Sequence, residues 1–485
     1  MRNQILEPLK YYERSGKNEH EANAIAYFDE LLEKSKVNVE ENRKTAKEYR
    51  SQASYAETLL KRVKSLRGWK IFLIILICIG FLCIPIGLSS QDSLIAILVP
   101  IIGLVVAVGL IVLLSLKINP AIKQAQSRYD IEKAKADALL KKAESQTAPL
   151  NALFTERDAL ELIEKTMQGI VKFSPDYSMD LEDEFVGDYG FVDDITSCCS
   201  VLDTLAGRLY DNPFVFFRYK RHEIGSKTYH GSRVISYYVT VRGSDGKTRQ
   251  VLKTQTLHAS VTKPYPYYYR QTALGYGHQS APDLSFSRTA TDVETLTERQ
   301  VEKRVSRGEK KLKKLAEKSL TRGGDFTEMT NAEFDVLFGA TNRNHEVQFR
   351  MLFSPLAQNN MVDLLCNKSC YGDDFDFYKR GRYNRITSEH AQVWDMDASP
   401  ENYFSYDVDL IKNKFVTFNN AYFKSVFFDF APLLTIPSYH QPPAEAFKPL
   451  KRTPSNNTYY EHEALVNAIG KRNFAHPQTA TDVIL

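Results

Sequence analysis

Two long runs of the chain are apolar at every position instead of in a periodic pattern. Ile71–Leu88 is an uncharged stretch of 18 residues, and Leu94–Leu116 is one of 23. About 20 apolar residues span the hydrocarbon layer of a bilayer, so each run is long enough to cross it. A helix that is apolar on all faces needs lipid or a deep protein interior around it. The pattern therefore predicts a transmembrane hairpin over residues 71–116, with spans at 71–88 and 94–116.

Basic residues flank these two runs and are absent from the connector between them, Ser89–Ser93. Short basic flanks stay in the cytoplasm, so the hairpin should enter and leave the membrane on that side. We therefore expect a multi-pass membrane protein with both termini cytoplasmic. Neither run contains an ionisable residue, which favours an anchor over a transport path. The small pair Gly103 and Ala107 would let the two helices approach closely. The basic flanks are Lys61, Arg62, Lys64, Arg67 and Lys70 before the hairpin, and Lys117, Lys123, Arg128, Lys133, Lys135, Lys141 and Lys142 after it.

Apolar and small residues on both sides of the hairpin recur with alternating spacings of three and four, which is the pattern of a coiled-coil seam. The seam covers positions 25–63 and 118–143. We expect residues 1–68 to form an N-terminal stalk helix, and residues 117–172 to hold a second stalk helix and a connector. An antiparallel pairing would place Val63 against Ile122 and Tyr49 against Ala136.

Beyond the stalk, residues 173–290 are β-rich. The segments 214–221, 233–241 and 248–261 are rich in β-branched and aromatic residues, and the turn 244–247 predicts a hairpin between the last two. We therefore expect an antiparallel β-meander. The Pro/Tyr-rich segment 263–278 reads as a loop whose tyrosines pack over a neighbouring sheet. The alternative is a surface that binds a peptide or stacks on a base.

Residues 325–437 predict a mixed α+β domain. Thr330 and Glu333 form a capping box, Asn344 caps a second helix, and Ser354 precedes a proline that suits the start of a third. Residues 374–378 and 383–394 predict a small hairpin, and residues 410–430 predict a core helix with one apolar face. Residues 438–485 predict a mostly flexible tail. The fold class is thus a membrane-anchored α+β chain with a stalk and a cytoplasmic domain.

Charge is distributed unevenly along the chain. In total, 63 basic residues against 59 acidic ones give a net charge of +4, which does not favour nucleic acid as a partner. Residues 291–324 predict a basic helix, in which ten basic residues stand against five glutamates. The hypothesis is that residues 299–322 contact anionic lipid, and the alternative is a solvated face. The acidic run from Asp180 to Asp194 reads as a solvated face, because its spacing does not match a calcium loop.

Candidate chemistry is sparse. Phosphate loops, nucleophile elbows, zinc helices and dinucleotide fingerprints are missing from the sequence, so no cofactor and no metal site is expected. Cys366 and Cys370 lack a second ligand pair at zinc spacing, and we expect two partly buried thiols. Alternate strand residues share a face, so aspartates near two predicted elements can converge in pairs. The densest carboxylate grouping is Asp373, Asp374 and Asp376 with Asp407 and Asp409.

One block of the 325–437 region resembles a known group of proteins. The block reads Glu333-Phe-Asp-x-Leu-Phe338, Asn342-Arg343, Glu346-Val-x-Phe-Arg350 and Leu352-Phe-Ser-Pro-Leu-Ala-Gln358. It is similar to a block in uncharacterised bacterial membrane proteins that share a two-helix hairpin followed by a cytoplasmic domain of unknown function. The resemblance implies a bacterial plasma membrane as the location. It assigns no activity and no catalytic residue.

These observations lead to two hypotheses of function. The first is a membrane-anchored scaffold that presents its cytoplasmic domain to an unknown protein partner or to the inner leaflet. The alternative is a membrane-tethered enzyme, a hydrolase that uses the aspartates between residues 373 and 409. Carboxylates that line one deep pocket would favour the enzyme.

Overall fold

The computed structural model describes residues 4–88, 93–174, 185, 187–190, 199–242, 247–393 and 398–444, and isolated positions between 466 and 476. Within these residues the chain is α+β, with two long apolar helices and an antiparallel sheet. The predicted acidic face around Asp180 and most of the predicted tail lie outside the described residues. The chain forms two compact units. The sheet unit comprises Met1–His20, Ala159–Asp397 and Asn420–Leu485, and the helical unit comprises Glu21–Asp158 and Ala398–Asn419.

The described elements follow one another along the chain with short connections. The helices are α1 Pro8–Tyr11, α2 Lys17–Ser35, α3 Val39–Leu88, α4 Ser93–Leu113, α5 Asn119–Asn151, α6 Asp158–Thr166, α7 Glu298–Thr321, α8 Ala332–Phe338, α9 Glu346–Leu352, α10 Pro355–Leu365, α11 His390–Val393 and α12 Val408–Leu434. The strands are β1 Val171–Phe173, β2 Cys199–Leu209, β3 Asn212–Arg242, β4 Thr248–Gly277, β5 Ser285–Arg288, β6 Phe375–Arg380 and β7 Tyr383–Ser388. Short π turns occupy Tyr12–Gly16 and Leu114–Ile118, and 3-10 turns occupy Val293–Thr295, Pro400–Asn402 and Pro437–His440.

In the helical unit, a break separates α2 from α3. Lys36 has a φ of 55°, in the left-handed region that a helix cannot continue through. The side chain of Asn38 accepts a hydrogen bond from the backbone N–H of Glu41 at 3.1 Å and so caps the start of α3. The predicted N-terminal stalk helix is therefore two helices, and the seam over positions 25–63 is divided between them.

The seam positions of α3 and α5 are nevertheless the covered ones. Ala46, Ala56 and Val63 are buried on α3, as are Ala125 and Ala136 on α5. Polar contacts join the two helices along this line. Asn42 donates from its amide to the backbone carbonyl of Ala143 at 3.5 Å, and Gln52 donates to the carboxylate of Glu132. The helix α5 ends two residues after Pro149, where the sequence pattern stops.

The apolar helices also approach each other closely. Gly80 of α3 is buried, and a Cβ placed on it would lie 3.1 Å from the carbonyl oxygen of Gly103 and 3.3 Å from the Cβ of Ala107. The two small residues on α4 are thus the ones predicted to allow close approach, and Gly80 is their counterpart on α3.

In the sheet unit, the seven described strands form one sheet in the order β1-β2-β3-β4-β7-β6-β5, and every neighbouring pair is antiparallel. The expected meander is present in β1 to β4. Its last two strands are longer than predicted, since β3 has 31 residues and β4 has 30. They pair without interruption from Phe214 and Tyr276 to Arg242 and Thr248.

The segment 263–278, predicted as a loop, is therefore strand as far as Gly277, and this part of the prediction was wrong. The strand β3 also continues through 222–232, between two of the predicted strands. Pro264 and Pro266 led to the error, because proline lacks the N–H of a ladder hydrogen bond. In the structure they sit at alternate positions of β4, opposite Ser226 and Ile224. The strand on the other side of β4 pairs only with residues 274–277. At an open edge, alternate N–H groups point to solvent, so proline is tolerated there.

The helices of the 325–365 region confirm the prediction except at two caps. Ser354 accepts a hydrogen bond from the N–H of Ala357 at 3.4 Å and caps α10, as predicted. The cap of α8 is Asn331 rather than Thr330, and the cap of α9 is His345 rather than Asn344. Each cap is displaced by one residue. The predicted hairpin is β6 and β7, and the predicted core helix is α12.

Phenylalanine side chains form the core between β5, β6 and helices α8 to α10. Their rings lie between 4.8 and 6.5 Å apart, which is the range of favourable aromatic pairs. We call this cluster the phenylalanine core. Its members are Phe286, Phe334, Phe338, Phe349, Phe353 and Phe377.

Candidate functional site

The first of the five candidate aspartates, Asp373, is fully buried in an ion pair. One carboxylate oxygen pairs with Arg288 and the other accepts a hydrogen bond from the hydroxyl of Thr291. Arg288 also donates to the carbonyl of Phe375 at 2.9 Å and lies 4.3 Å from the centre of its ring. Burial lowers the pKa of Arg288, and the charge of Asp373 opposes that shift. The pair joins β5 to the segment before β6 and has no access to solvent.

Asp374 belongs to a second buried network, centred on His390. The Nδ1 atom of His390 lies 2.5 Å from an Asp374 oxygen, and Nε2 lies 3.1 Å from the carbonyl of Ser425 and 3.4 Å from Asp429. Tyr371 stacks on the imidazole at 3.9 Å. Because both ring nitrogens face acceptors only, the imidazole donates from both and is doubly protonated.

The charges around His390 agree with that protonation state. Burial alone would lower the pKa of His390, but the charge of Asp429 and the hydrogen bond to Asp374 raise it above its usual range. Burial raises the pKa of Asp429 to about 6. The hydroxyl of Ser388 donates to Asp429 at 2.6 Å and not to the imidazole. A histidine with both nitrogens engaged cannot take a proton from a nucleophile, so this network ties β7 and α11 to α12.

The remaining three aspartates have separate structural partners. Asp376 accepts from the backbone N–H of Ala290 at 2.8 Å. In the helical unit, Asp407 accepts from the N–H of Asp409 at 2.9 Å at the start of α12, and it also pairs with Arg50. Asp409 pairs with Arg43, with nitrogen to oxygen distances of 2.9 and 3.0 Å. Each of the five carboxylates thus has its own cation or backbone donor.

The two candidate thiols, Cys366 and Cys370, are half-buried, as expected. Burial raises the pKa of Cys366 to about 11 and also raises the pKa of Cys370. Both are therefore protonated thiols at neutral pH, which makes them poor nucleophiles. In the described part of the chain, no group of three His, Cys, Asp or Glu side chains is arranged to hold a metal ion.

Arg343, in the block that resembles bacterial membrane proteins, is the centre of a buried ion network. It donates to Asp335 and to Glu346, each at 2.6 Å. Its guanidinium lies 4.4 Å from the ring centres of both Phe326 and Phe349. The charged and aromatic residues of this block are therefore explained by packing. The role of Arg343 was not predicted from the sequence. The available signal was the position of Asn342-Arg343 between two apolar helices, which indicates a buried charge.

The basic helix α7 packs on α8 along one side and leaves its cations exposed on the others. Val301 and Leu312 are buried, and a Cβ on Gly308 would lie 2.3 Å from a methyl carbon of Val336. Beside this contact runs a groove of about 540 Å³, whose wall includes Lys303, Arg307 and Lys311. Among the described residues, none of these three cations forms an ion pair. The groove thus combines a concave shape with positive charge. Arg304 is the exception, since it pairs with Asp292 at 2.6 Å.

The apolar stretches of α3 and α4 form the most exposed apolar surface of the helical unit. In the most apolar 18-residue stretch of each long helix, only 11% of the residues are buried. Ile71 is 60% exposed, Val105 65% and Leu116 72%. Both helices are long and apolar enough to cross a membrane.

The tyrosines of segment 263–278 do not pack over a neighbouring sheet, and that expectation was wrong. Tyr267, Tyr268 and Tyr269 are exposed on the extended part of β4. The end of the segment is different, because Tyr276 and His278 are buried. The extended part of β3 and β4 is therefore a two-stranded ribbon with aromatic residues in solvent, and we call residues 221–242 and 248–269 the ribbon.

No family model matches the chain, and no curated protein or solved structure is detectably similar to it. The resemblance of the block at 333–358 therefore rests on those residues alone.

Proposed function

We propose that this protein is a membrane-anchored scaffold. Its hairpin, residues 71–88 and 94–116, spans the plasma membrane, and both termini lie in the cytoplasm. The helices α3 and α5 continue the spans as an antiparallel coiled-coil stalk. The sheet unit presents binding surfaces to a cytoplasmic protein partner, and α7 contacts anionic lipid.

The observation that carries the proposal is the low burial of the apolar helices. A core helix of a soluble protein has the same composition, but the protein around it covers it. Here 11% of the most apolar stretch of each helix is buried, and large aliphatic side chains remain exposed outside the contact between the two helices. At roughly −0.3 to −0.6 kcal/mol for each Ile, Leu, Phe or Val, such helices insert favourably into a bilayer.

The role of a scaffold is supported by what the buried ionisable groups do. The candidate aspartates, His390 and Arg343 are all engaged in contacts that hold elements together. The groove beside α7 offers cations to an anion, at about 1 kcal/mol for each cation near an anionic membrane surface. These features fit binding and anchoring better than turnover.

The test of anchoring uses the full chain in native membranes. We expect alkaline carbonate and high salt to leave the protein in the membrane pellet, and a mild detergent to release it. Release by carbonate alone would mean that the apolar helices are covered by protein and would overturn the proposal.

The test of orientation uses single cysteines in a background without the native ones. Ser90→Cys, in the connector, should react with a membrane-impermeant maleimide in intact cells. Ser306→Cys, exposed on α7, should react only after the cells are permeabilised. Labelling of Ser306→Cys in intact cells would reverse the orientation.

The lipid contact of α7 is tested in liposomes with the full chain carrying a solvatochromic dye at Ser306→Cys. Anionic lipid should shift the dye emission to the blue, and added salt should reverse the shift. Replacing Lys310, Lys311, Lys313 and Lys314 by Glu should abolish it. A dye emission that does not change with the charge of the lipid would mean that α7 is a solvated face.

A further inference from the structure

The two faces of the ribbon differ in charge. Residues paired across an antiparallel ladder share a face, and the next pair points to the opposite side. The register pairs His222 with Tyr268 and Thr240 with Gln250, so even-numbered positions form one face and odd-numbered positions the other. The charged side chains between these rows all lie on the odd face. They are Glu223, Lys227, Arg233, Lys253 and Lys263. At the two ends of the ribbon, Arg221 and Arg249 lie on the odd face and Arg242 lies on the even face.

The even face has twenty positions from 222 to 240 and from 250 to 268, and none is Asp, Glu, Lys or Arg. Charged residues make up 25% of the chain, so about five of these positions would be charged if composition alone decided. We call this surface the uncharged face. Its members are hydroxyl, aromatic and aliphatic residues with three histidines.

Large apolar side chains are open to solvent on both faces of the ribbon, and the four most exposed of them lie on the uncharged face. Ile224 is 71% exposed, Tyr238 69%, Val234 63% and Leu252 55%. Tyr238 and Leu252 are direct cross-strand neighbours. Thr228 and Thr262, also a cross-strand pair, share a hydrogen bond of 2.8 Å between their hydroxyls, so these polar groups are partly satisfied within the face.

A ribbon of this kind needs a covering partner. An isolated two-stranded ribbon is marginally stable in water, and antiparallel sheets ordinarily bury one face and solvate the other. Within the described residues, positions 223–242 of β3 are exposed or half-exposed, so neither face is covered. The charged face suits water. The uncharged face is the one to be buried.

We propose that the uncharged face binds the same face of a second copy of this chain. An anionic partner, such as lipid or nucleic acid, would find a row of cations only on the opposite face. A second copy would place its uncharged face against the uncharged face of the first, and the cations of both copies would remain in water. The arrangement is a two-fold, isologous contact, in which the same patch serves both subunits.

The size of the face fits a stable dimer. Nineteen rows at about 3.3 Å each give a length of roughly 60 Å, and two strands with their side chains are roughly 10 Å wide. Each copy thus contributes roughly 600 Å², and the pair roughly 1,200 Å², the lower end of stable interfaces. Pro264 and Pro266 block strand addition at one edge, which favours contact through the face. This self-association does not depend on membrane anchoring.

The experiment measures the mass of the full chain in detergent over a range of concentrations by analytical ultracentrifugation. The test variant is Tyr238→Lys with Leu252→Lys, on the uncharged face. The matched control is Tyr237→Lys with Val251→Lys, one residue away on each strand and on the charged face. All four side chains are exposed, so either variant should fold.

We expect a dimer whose dissociation constant rises about 100-fold or more in the test variant, because four lysines would be buried without partners. The control should change it less than about threefold, since its lysines remain in water. A wild-type monomer at all concentrations would overturn the proposal, as would a dimer equally stable in the test variant. A monomer whose ribbon amides gain protection from hydrogen exchange only with anionic vesicles would identify lipid as the occupant, and it would also overturn the proposal.

Discussion

The hairpin helices and the phenylalanine core are both apolar, but only the core contains charged side chains. The apolar runs 71–88 and 94–113 contain no Asp, Glu, Lys, Arg or His, and most of their described large aliphatic side chains are exposed. The phenylalanine core is buried, yet Arg288 and Arg343 lie against its rings. Both arginines have carboxylate partners inside the core.

This difference in charge bears on what surrounds each region. A protein interior can bury an ion when hydrogen-bond partners are fixed around it. A helix in lipid has no such partners on its outer face, so charge is costly at every position. The absence of charge from all faces of the apolar runs, together with their exposure, is what the proposed membrane anchoring requires.

The largest expected effect comes from breaking the ion network of the core. Arg343→Leu leaves Asp335 buried without a cation and Glu346 with only the longer contact to Arg350, and it should destabilise the sheet unit by about 3–5 kcal/mol. Hydrogen exchange over residues 325–365 measures it. Arg350→Leu is the control. Arg350 is 40% exposed and its contact with Glu346 is long, at 3.8 Å, so this change should cost less than about 1 kcal/mol. Equal losses would mean that burial of the ion is unimportant.

The next effect comes from placing charge in the hairpin. Val105→Arg, in the middle of α4, should disfavour membrane insertion by about 2.5–3.5 kcal/mol and reduce the membrane-bound fraction of the chain. Ile131→Arg replaces a side chain of α5 that is 54% exposed but outside the proposed spans, and it should have no effect. Fractionation of cells that express the two variants compares them. If Ile131→Arg released as much protein, the proposed boundaries would be wrong.

A smaller effect tests the contact between the hairpin helices. Gly80→Leu should force α3 and α4 apart at a cost of about 1–3 kcal/mol, because Gly103 and Ala107 leave no room. Gly109→Leu should be neutral, since a Cβ there has no neighbour within 4 Å. Disulfide formation between Leu73→Cys and Leu110→Cys reports the approach, and it should fall only with Gly80→Leu.

The smallest effect concerns pH. The pKa of His390 is raised in the folded protein, so its protonated form stabilises the fold below about pH 6.5, and this contribution is lost as the pH rises through the folded value. The melting-temperature advantage of the wild type over His390→Gln should therefore shrink from pH 6.5 upward. Lys379, whose pKa burial lowers to about 7, titrates in the same range with the opposite sign, but it is present in both proteins and cancels in the difference. His278, whose pKa burial lowers to about 3, titrates below pH 6.5. A profile unchanged by His390→Gln would contradict the assignment.

Features that depend on neighbouring residues were predictable from the sequence. The apolar stretch from Ile71 to Leu88 can be recognised from its length and composition alone. Ser354 and the proline after it determine the start of α10, because a cap acts over three residues. The spacing in 410–430 predicted a core helix, and that segment is α12.

Features that depend on pairing between distant parts of the chain were not predictable from the sequence. The strands 233–241 and 248–261 of the ribbon were predicted as a hairpin, but their continuation through 222–232 and 263–269 was missed. Pro264 reads locally as a turn, whereas its partner Ser226 lies 38 residues earlier and keeps it in a strand. His390 meets Asp429 only after α12 folds back on β7, and separation along the chain hides such contacts. The caps Asn331 and His345 were missed by one residue, because several polar residues in a row can each cap and tertiary contacts select one.

The π turn at Leu114–Ile118 sets the phase between α4 and α5. Each residue of an α-helix advances the helix face by about 100°, and a π turn holds one residue more than an α turn. Gly103 and Ala107 before it, and Ala125 and Ala136 after it, are all buried on their helices. Deleting one residue from 114–118 would restore a regular helix but rotate Ala125 and Ala136 about 100° away from their side of contact. In this segment the number of residues, more than their identity, decides which side chains α5 offers to α3.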